Sequence, residues 1–378
     1  MKIAIVCYPT FGGSGVVATE LGLELAKRNH EVHFITYSQP VRLALLNPNI
    51  FYHEVNVPEY PLFHYQPYEL ALSSKLVDMV KLFKIDVLHV HYAIPHAYAG
   101  YMAKQMLKEQ GIDLPMITTL HGTDITLVGN HPNYKTAVSF SINSSDYVTS
   151  VSESLKQSTR CLFETEKEIH VIPNFIEVKE FDCDDTPCKR SAMADKNEVI
   201  ITHISNFRKV KRIEDVVSTF YGIQKQMPAK LMLVGDGPEK ERAERQALEL
   251  GIYDKIIFFG NSNEIEHILS YSDLFLLPSE TESFGLAALE AMAMGVPVIS
   301  SNTGGLPEVN EHGVSGYLSN VGDVEDMVAN ALKILKDQDT LCQFKENARN
   351  VAKKFSIDKV LPLYEDIYTA ALHKSRKG

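Results

Sequence analysis

Two carboxylates, Glu282 and Glu290, stand eight positions apart where an apolar run gives way to a helix. The run Asp273-Leu-Phe-Leu-Leu-Pro278 has the length and composition of a buried strand. A short loop through Phe284-Gly285 then leads into an Ala/Leu/Met-rich segment, so backbone N–H groups near Phe284 to Ala287 fall at a helix N-terminus. Such groups lack intrahelical acceptors and sit at the positive end of the helix dipole, which suits a phosphate or diphosphate. Glu282, in the loop, and Glu290, about two turns into the predicted helix, can each accept hydrogen bonds from hydroxyls without competing for that anion. A diphosphate with a hydroxylated group at each end is a nucleotide-sugar.

Other polar groups cluster at the ends of further apolar runs. Tyr8-Pro-Thr-Phe-Gly12-Gly13-Ser14-Gly15 follows the first run and opens a helix. Its glycines permit close backbone approach, and their spacing is not that of a dinucleotide fingerprint. Thr118-Thr-Leu-His121-Gly-Thr123-Asp124 and Val87-Leu-His89-Val-His91-Tyr92-Ala-Ile-Pro95 end two more runs. Strand ends carry site residues, so His121 and Tyr92 are candidates. A lone histidine is more often a core or capping group, and His89 reads as buried structure. Ser205-Asn206-Phe-Arg208-Lys209-Val-Lys211-Arg212 gathers four cations after another run, where a departing diphosphate would need positive charge.

Short apolar runs alternate with helical patterns along the chain. Strands are expected at Lys2–Cys7, Glu31–Thr36, Val87–His91, Met116–Leu120, Tyr147–Val151 and Ile169–Ile172, with helices between them. After a polar, charge-rich interruption that begins at Pro173-Asn-Phe175, strands resume at Val199–Ile204, Leu231–Val234, Ile256–Phe259, Leu274–Leu277 and Val296–Ser300. This alternation implies parallel βαβ units in two doubly wound domains, whose ligands bind at the carboxyl ends of the strands. A length of 378 residues is comfortable for two such domains.

Taken in its context, the Glu282–Glu290 stretch resembles the Glu-x7-Glu signature of retaining glycosyltransferases with the two-domain GT-B fold, glycosyltransferase family 4. Gly235-Asp-Gly237, Phe258-Phe-Gly260-Asn261, Gly304-Gly305-Leu-Pro-Glu308 and Gly313-Val-Ser-Gly316 follow in the order that resemblance requires. The resemblance implies an α/β chain with two Rossmann-like domains facing across a cleft. Residues 1–174 would bind the acceptor and 175–356 the nucleotide-sugar, with a last helix at 357–372 packing back on the first domain. On the donor it places Gly15, Asn206, Lys211, Asn261, Glu282, Phe284, Gly285, Leu286 and Glu290. On the acceptor it places Ser14, Tyr92, Thr123 and Arg208. It gives catalytic parts to His121, Glu282, Lys211 and Arg208, and it implies no cofactor and no metal. Relatives carry Gly-Arg-Leu where this chain has Asn206, so Arg208 is a candidate for the arginine's role as well as for the acceptor. The basic loop, the His-Tyr-Ala-Ile-Pro-His-Ala run and the glycine loop together are similar to one branch of the family. That branch moves N-acetylglucosamine from UDP-N-acetylglucosamine to L-malate, the first step of bacillithiol biosynthesis. Alternatives are family members with an inositol phosphate or lipid acceptor, a UDP-sugar epimerase of the same fold, and a catalytically dead binding module.

The bulk properties narrow the field. A formal charge of −11 argues against a nucleic-acid binder. No apolar run is long enough to span a bilayer, and the N-terminal run reads as a core strand rather than a signal peptide. A cytoplasmic location is therefore expected, with the oligomeric state left open. The five cysteines (Cys7, Cys161, Cys183, Cys188 and Cys342) fit no zinc spacing and read as free thiols in a reducing compartment.

Overall fold

The computed structural model describes residues 1–10, 13–59, 61, 64–177, 190–262 and 264–375. The chain divides into two compact units. The first comprises Met1–Phe175 with Ile357–Gly378, and the second Ile176–Ser356.

The first unit is built on seven parallel strands: β1 (Lys2–Val6), β2 (Glu31–Thr36), β3 (Ile50–Glu54), β4 (Val87–His91), β5 (Met116–Leu120), β6 (Tyr147–Ser150) and β7 (Ile169–Val171). Their order is β3-β2-β1-β4-β5-β6-β7. The sheet thus grows one way from β1 and then reverses, and the reversal opens a crevice between the carboxyl ends of β1 and β4. Every residue of β4 and β5 is buried, as expected of central strands covered on both faces by helices.

In the second unit β8 (Val199–Ile204), β9 (Ala229–Val234), β10 (Ile256–Gly260), β11 (Leu274–Leu277), β12 (Val298–Ser301) and β13 (Gly316–Ser319) repeat the plan. The order β10-β9-β8-β11-β12-β13 puts the equivalent reversal between β8 and β11. Phe207, Phe220, Leu231, Leu276 and Phe344 belong to one buried cluster that fixes these strands against their helices.

Two strands were not expected from the sequence. β3 is an edge strand, and Phe51, Tyr52 and His53 are only partly buried, so it lacks a clear apolar alternation. β13 begins at Gly316, a poor strand former, because the neighbouring strand leaves no room for a side chain: a Cβ there would lie 1.8 Å from the Val298 carbonyl oxygen. The last helix, Ile357–Ser375, belongs to the first unit, where it buries Tyr364 and Tyr368. Cys7 is buried, while Cys161 and Cys342 are exposed free thiols. Cys183 and Cys188 lie outside the described residues, as does Gly12 of the glycine loop.

Candidate functional site: polar clusters at the two sheet reversals

In the first unit the chain leaving β1 and the chain leaving β4 meet at the reversal. Ser14 Oγ and the Tyr92 hydroxyl are 2.6 Å apart. Tyr92 adopts φ 84°, an unfavourable angle for a residue with a side chain, and its N–H donates to the Thr119 carbonyl at 2.9 Å. Its ring packs edge-on against Tyr8 and tilted against His121, each with centroids 5.1 Å apart. Burial is the main influence that raises the Tyr92 phenol, so it stays protonated as a donor.

His121 follows β5 and is 9% exposed. Its Nε2 lies 2.8 Å from Nδ1 of His91, the last residue of β4. His89 shares the strand face with His91, ring against ring at 4.4 Å. It bonds the Tyr368 hydroxyl at 2.8 Å and Thr119 Oγ1 at 2.7 Å. Burial depresses His121 and His89 to about 3 and holds His91 well below its ordinary value, so all three rings are neutral at physiological pH.

Asp124 ties these loops together. It accepts the Ala93 N–H at 2.9 Å, the Gly122 N–H at 3.0 Å and the His121 N–H at 3.2 Å. Burial pushes its carboxyl up to about 6, against the pull of these backbone bonds. Wide π-type turns follow both strands, with Ala97 N–H bonding Tyr92 O and Val128 N–H bonding Thr123 O. Turns of this kind recur at functional sites. Thr123 is exposed beside this hub. Gly15 is buried, and a Cβ there would meet the Tyr8 carbonyl oxygen at 2.5 Å. Packing within the loop thus already requires glycine at this position.

The second unit repeats this geometry with charged groups. Lys211, in the chain leaving β8, and Glu282, in the chain leaving β11, form an ion pair at 2.6 Å, both about one-fifth exposed. The backbone joins the same two segments through Glu280 N–H and Val210 O at 2.8 Å. The sequence separates a lysine for phosphate from a glutamate for sugar, whereas the fold couples them. The helix after Glu282 runs Leu286–Ala293, with Gly285 at φ 107° before it and no side-chain cap. Leu289 is its first amide to bond back, to Gly285 O. Amides of Leu286, Ala287 and Ala288 thus form the anion-attracting end. Glu290 is the fifth helical residue, one turn in rather than two, because the helix starts at Leu286.

The four cations of the basic loop also diverge. Arg212 pairs with Asp215 at 2.6 Å and Lys211 with Glu282. Arg208 and Lys209 are exposed, and Arg208 has no side-chain partner among the described residues. Asn206 and Asn261 are exposed and Phe284 is buried. The Gly-Asp-Gly turn supports the loop from beneath. A Cβ at Gly235 would lie 1.8 Å from Ser205 O, and one at Gly237 2.2 Å from Asn206 O. Glu282 is supported in the same way, since a Cβ at Gly304 would lie 1.9 Å from its carbonyl oxygen. Among the described residues no cluster of His, Cys, Asp or Glu could hold a metal ion, and no helix is long and apolar enough to cross a membrane.

Comparison with known proteins places this geometry. Residues 11–180 match the model of Glycosyltransferase Family 4, and residues 186–351 that of Glycosyl transferases group 1. N-acetyl-alpha-D-glucosaminyl L-malate synthase of Bacillus anthracis is 47% identical, covering 100% of this chain and 99% of that protein. The chain belongs to glycosyltransferase family 4. This transferase is also 29% identical to 2-deoxystreptamine N-acetyl-D-glucosaminyltransferase of Niallia circulans over 76% of its length and 78% of the relative's. Among solved structures, a glycosyltransferase from Rickettsia africae superposes with a TM-score of 0.81 at 22% identity, covering 98% of both chains. Anabaena HepE in complex with UDP-glucose superposes at 0.78 and 20% identity, covering 98% of this chain and 100% of that one. The transferase has the GT-B fold.

His91, His96 and Asp124 have no separate role in the sequence reading. The available signal was the His-x-His alternation of β4, which puts two imidazoles on one face of a fully buried strand.

Proposed function

We propose that the protein transfers N-acetylglucosamine from UDP-N-acetylglucosamine to L-malate with retention at the anomeric carbon, the reaction named for its Bacillus anthracis relative. The observation that carries this reading is the Lys211–Glu282 ion pair four residues ahead of an uncapped helix N-terminus, in a chain that matches that relative end to end.

The donor belongs to the second unit. Its diphosphate would take the amides of Leu286 and Ala287 and the Lys211 ammonium, and the UDP ribose would take Glu290. Glu282, with the amides of Phe284 and Gly285, would hold a hydroxyl of the sugar. Asn206, Asn261 and Gly15, the last in the loop that carries Ser14, would border the donor. In the first unit Ser14, Tyr92 and Thr123 would offer hydroxyls to the acceptor, and His121 would contact the sugar. Arg208 of the second unit would supply a cation for the acceptor's carboxylates. The bond from C1 to the β-phosphate oxygen breaks with oxocarbenium character, and a new bond forms from C1 to the malate hydroxyl oxygen on the same face. The hydroxyl proton passes to the departing diphosphate. Lys211 and the helix amides stabilise the charge that grows there without reorganising.

Incubation with UDP-N-acetylglucosamine and a panel of hydroxy acids, inositol phosphate and lipid acceptors tests the reading through UDP release. Release should require L-malate and persist in excess chelator. Release with another acceptor, or loss in chelator with recovery on adding magnesium or manganese, would overturn it.

A further inference from the structure

We propose that His91 is a positioning residue whose Nδ1–H donates to His121 Nε2, so that His121 keeps its own proton on Nδ1 and meets the sugar as a hydrogen-bond donor. The inference rests on the proposed contact between His121 and the donor sugar and specifies its chemistry.

Two neutral imidazoles 2.8 Å apart share one bridging proton, and two directions are available to it. If His121 donated from Nε2, neutral His91 would have to carry its proton on its own Nε2. That atom is fully buried and has no partner. The result would be an orphaned N–H, which folded proteins tolerate less than an unfilled acceptor. In the other direction His91 Nδ1 donates, and its bare Nε2 needs no acceptor. Protonating the pair does not resolve the conflict, since burial holds both rings neutral.

The surroundings hold His91 in place. Its carbonyl oxygen accepts from His96 Nδ1 at 2.6 Å, and its ring is stacked on His89. His89 is itself fixed by Tyr368 and Thr119. The titratable groups around the pair are therefore His89, His96, Tyr92 and Asp124. His121 is the one histidine of the four with any exposure, and its Nδ1 has no partner among the described residues. A ring locked this way can donate to a sugar oxygen but cannot take the acceptor's proton. This agrees with a mechanism in which the leaving diphosphate is the base.

The test uses the full chain labelled with 15N at histidine. Long-range proton–nitrogen spectra report which ring nitrogen carries the proton, with His91 and His121 signals assigned by their loss in H91N and H121N. The expected result is Nδ1 protonation of His121. Protonation at Nε2 overturns the proposal whatever the activity shows. Kinetics give a second reading. His91→Asn keeps an N–H near the Nδ1 position and should retain most of kcat. His91→Asp offers only acceptors, so it forces the opposite tautomer of His121. Its kcat should fall about tenfold or more, with KM for the sugar nucleotide little changed, and the pH–rate profile should gain an ionisation near neutrality. Equal kcat and pH profiles for the two variants would overturn the proposal. If no acceptor supports UDP release, the functional reading fails, and the tautomer spectrum still decides the direction of the hydrogen bond.

Discussion

Arg208 and Lys211 sit three positions apart in one basic run, yet their surroundings make them different instruments. Lys211 is held by Glu282 ahead of a helix whose N-terminus has no side-chain cap. Arg208 is exposed and has no side-chain partner among the described residues, so its guanidinium is available for a carboxylate. Arg208→Ala should therefore raise KM for malate about tenfold or more, the size of one charge-assisted hydrogen bond, and leave UDP affinity nearly intact. With the proposed phosphate role, Lys211→Ala should lower UDP affinity and kcat together, since it would remove a contact that strengthens as phosphate charge builds. Steady-state kinetics with each substrate varied in turn, and calorimetric titration of UDP, separate the two patterns. A fall in UDP affinity with Arg208→Ala would move that residue to the diphosphate in place of the arginine that Asn206 replaces. Residue types alone reveal such a cluster but not its division of labour. Which cation faces a carboxylate depends on a contact between two strand ends that are distant in the chain.

The loops that carry these groups are set by glycines at contacts the sequence does not display. Gly304 and Gly313 both have positive φ, 56° and 76°, so alanine at either place strains the backbone by about 1–2 kcal/mol. Their surroundings differ. A Cβ at Gly304 would strike the Glu282 carbonyl oxygen, whereas nothing lies within 4 Å of one at Gly313. Gly304→Ala should thus displace the Glu282 loop and weaken UDP binding as well as stability, while Gly313→Ala should show the backbone cost alone. Thermal melts with and without UDP distinguish them, and an equal UDP-induced rise in Tm for both variants would remove Gly304 from the site's support. The alternation of strands and helices was legible because buried parallel strands read as continuous apolar runs. It failed at β3, whose edge position leaves Tyr52 and His53 partly exposed, and at β13, whose leading glycine answers to Val298 on another strand. Helix starts were less legible than helix existence. Gly285 delays the start of its helix to Leu286, which moves Glu290 a turn nearer the anion end than its spacing suggested.

Across the whole molecule, both units hold imidazoles in the interior without charge. In the first unit burial lowers His89 and His121 to about 3 and His96 to about 4, and holds His91 well below its ordinary value. In the second unit burial lowers His203 to about 4. An unfolded chain titrates its histidines near 6.5, so below that pH it binds more protons than the folded one. The stability these groups contribute is fully present above about pH 6.5 and is lost as pH falls through about 4 toward about 3. Asp124 acts in the opposite sense. Its carboxyl is raised to about 6 in the fold, so between its unfolded value and 6 the native state holds the extra proton, and that contribution fades as pH rises. One carboxyl cannot offset four histidines in the same unit. Resistance to urea should therefore be nearly flat from pH 8 to 7 and fall steeply from 6 to 5, by more than the roughly 1.4 kcal/mol per pH unit that one proton gives. Tyr368→Phe should bring the first unit's transition to lower urea at every pH, because His89 then loses the hydroxyl that the last helix delivers to it. Urea melts at closely spaced pH values, followed by circular dichroism, give both slopes. A midpoint that stays constant between pH 7 and 5 would mean that these histidines are hydrated and titrate normally, and that the neutral network behind His121 does not exist in solution.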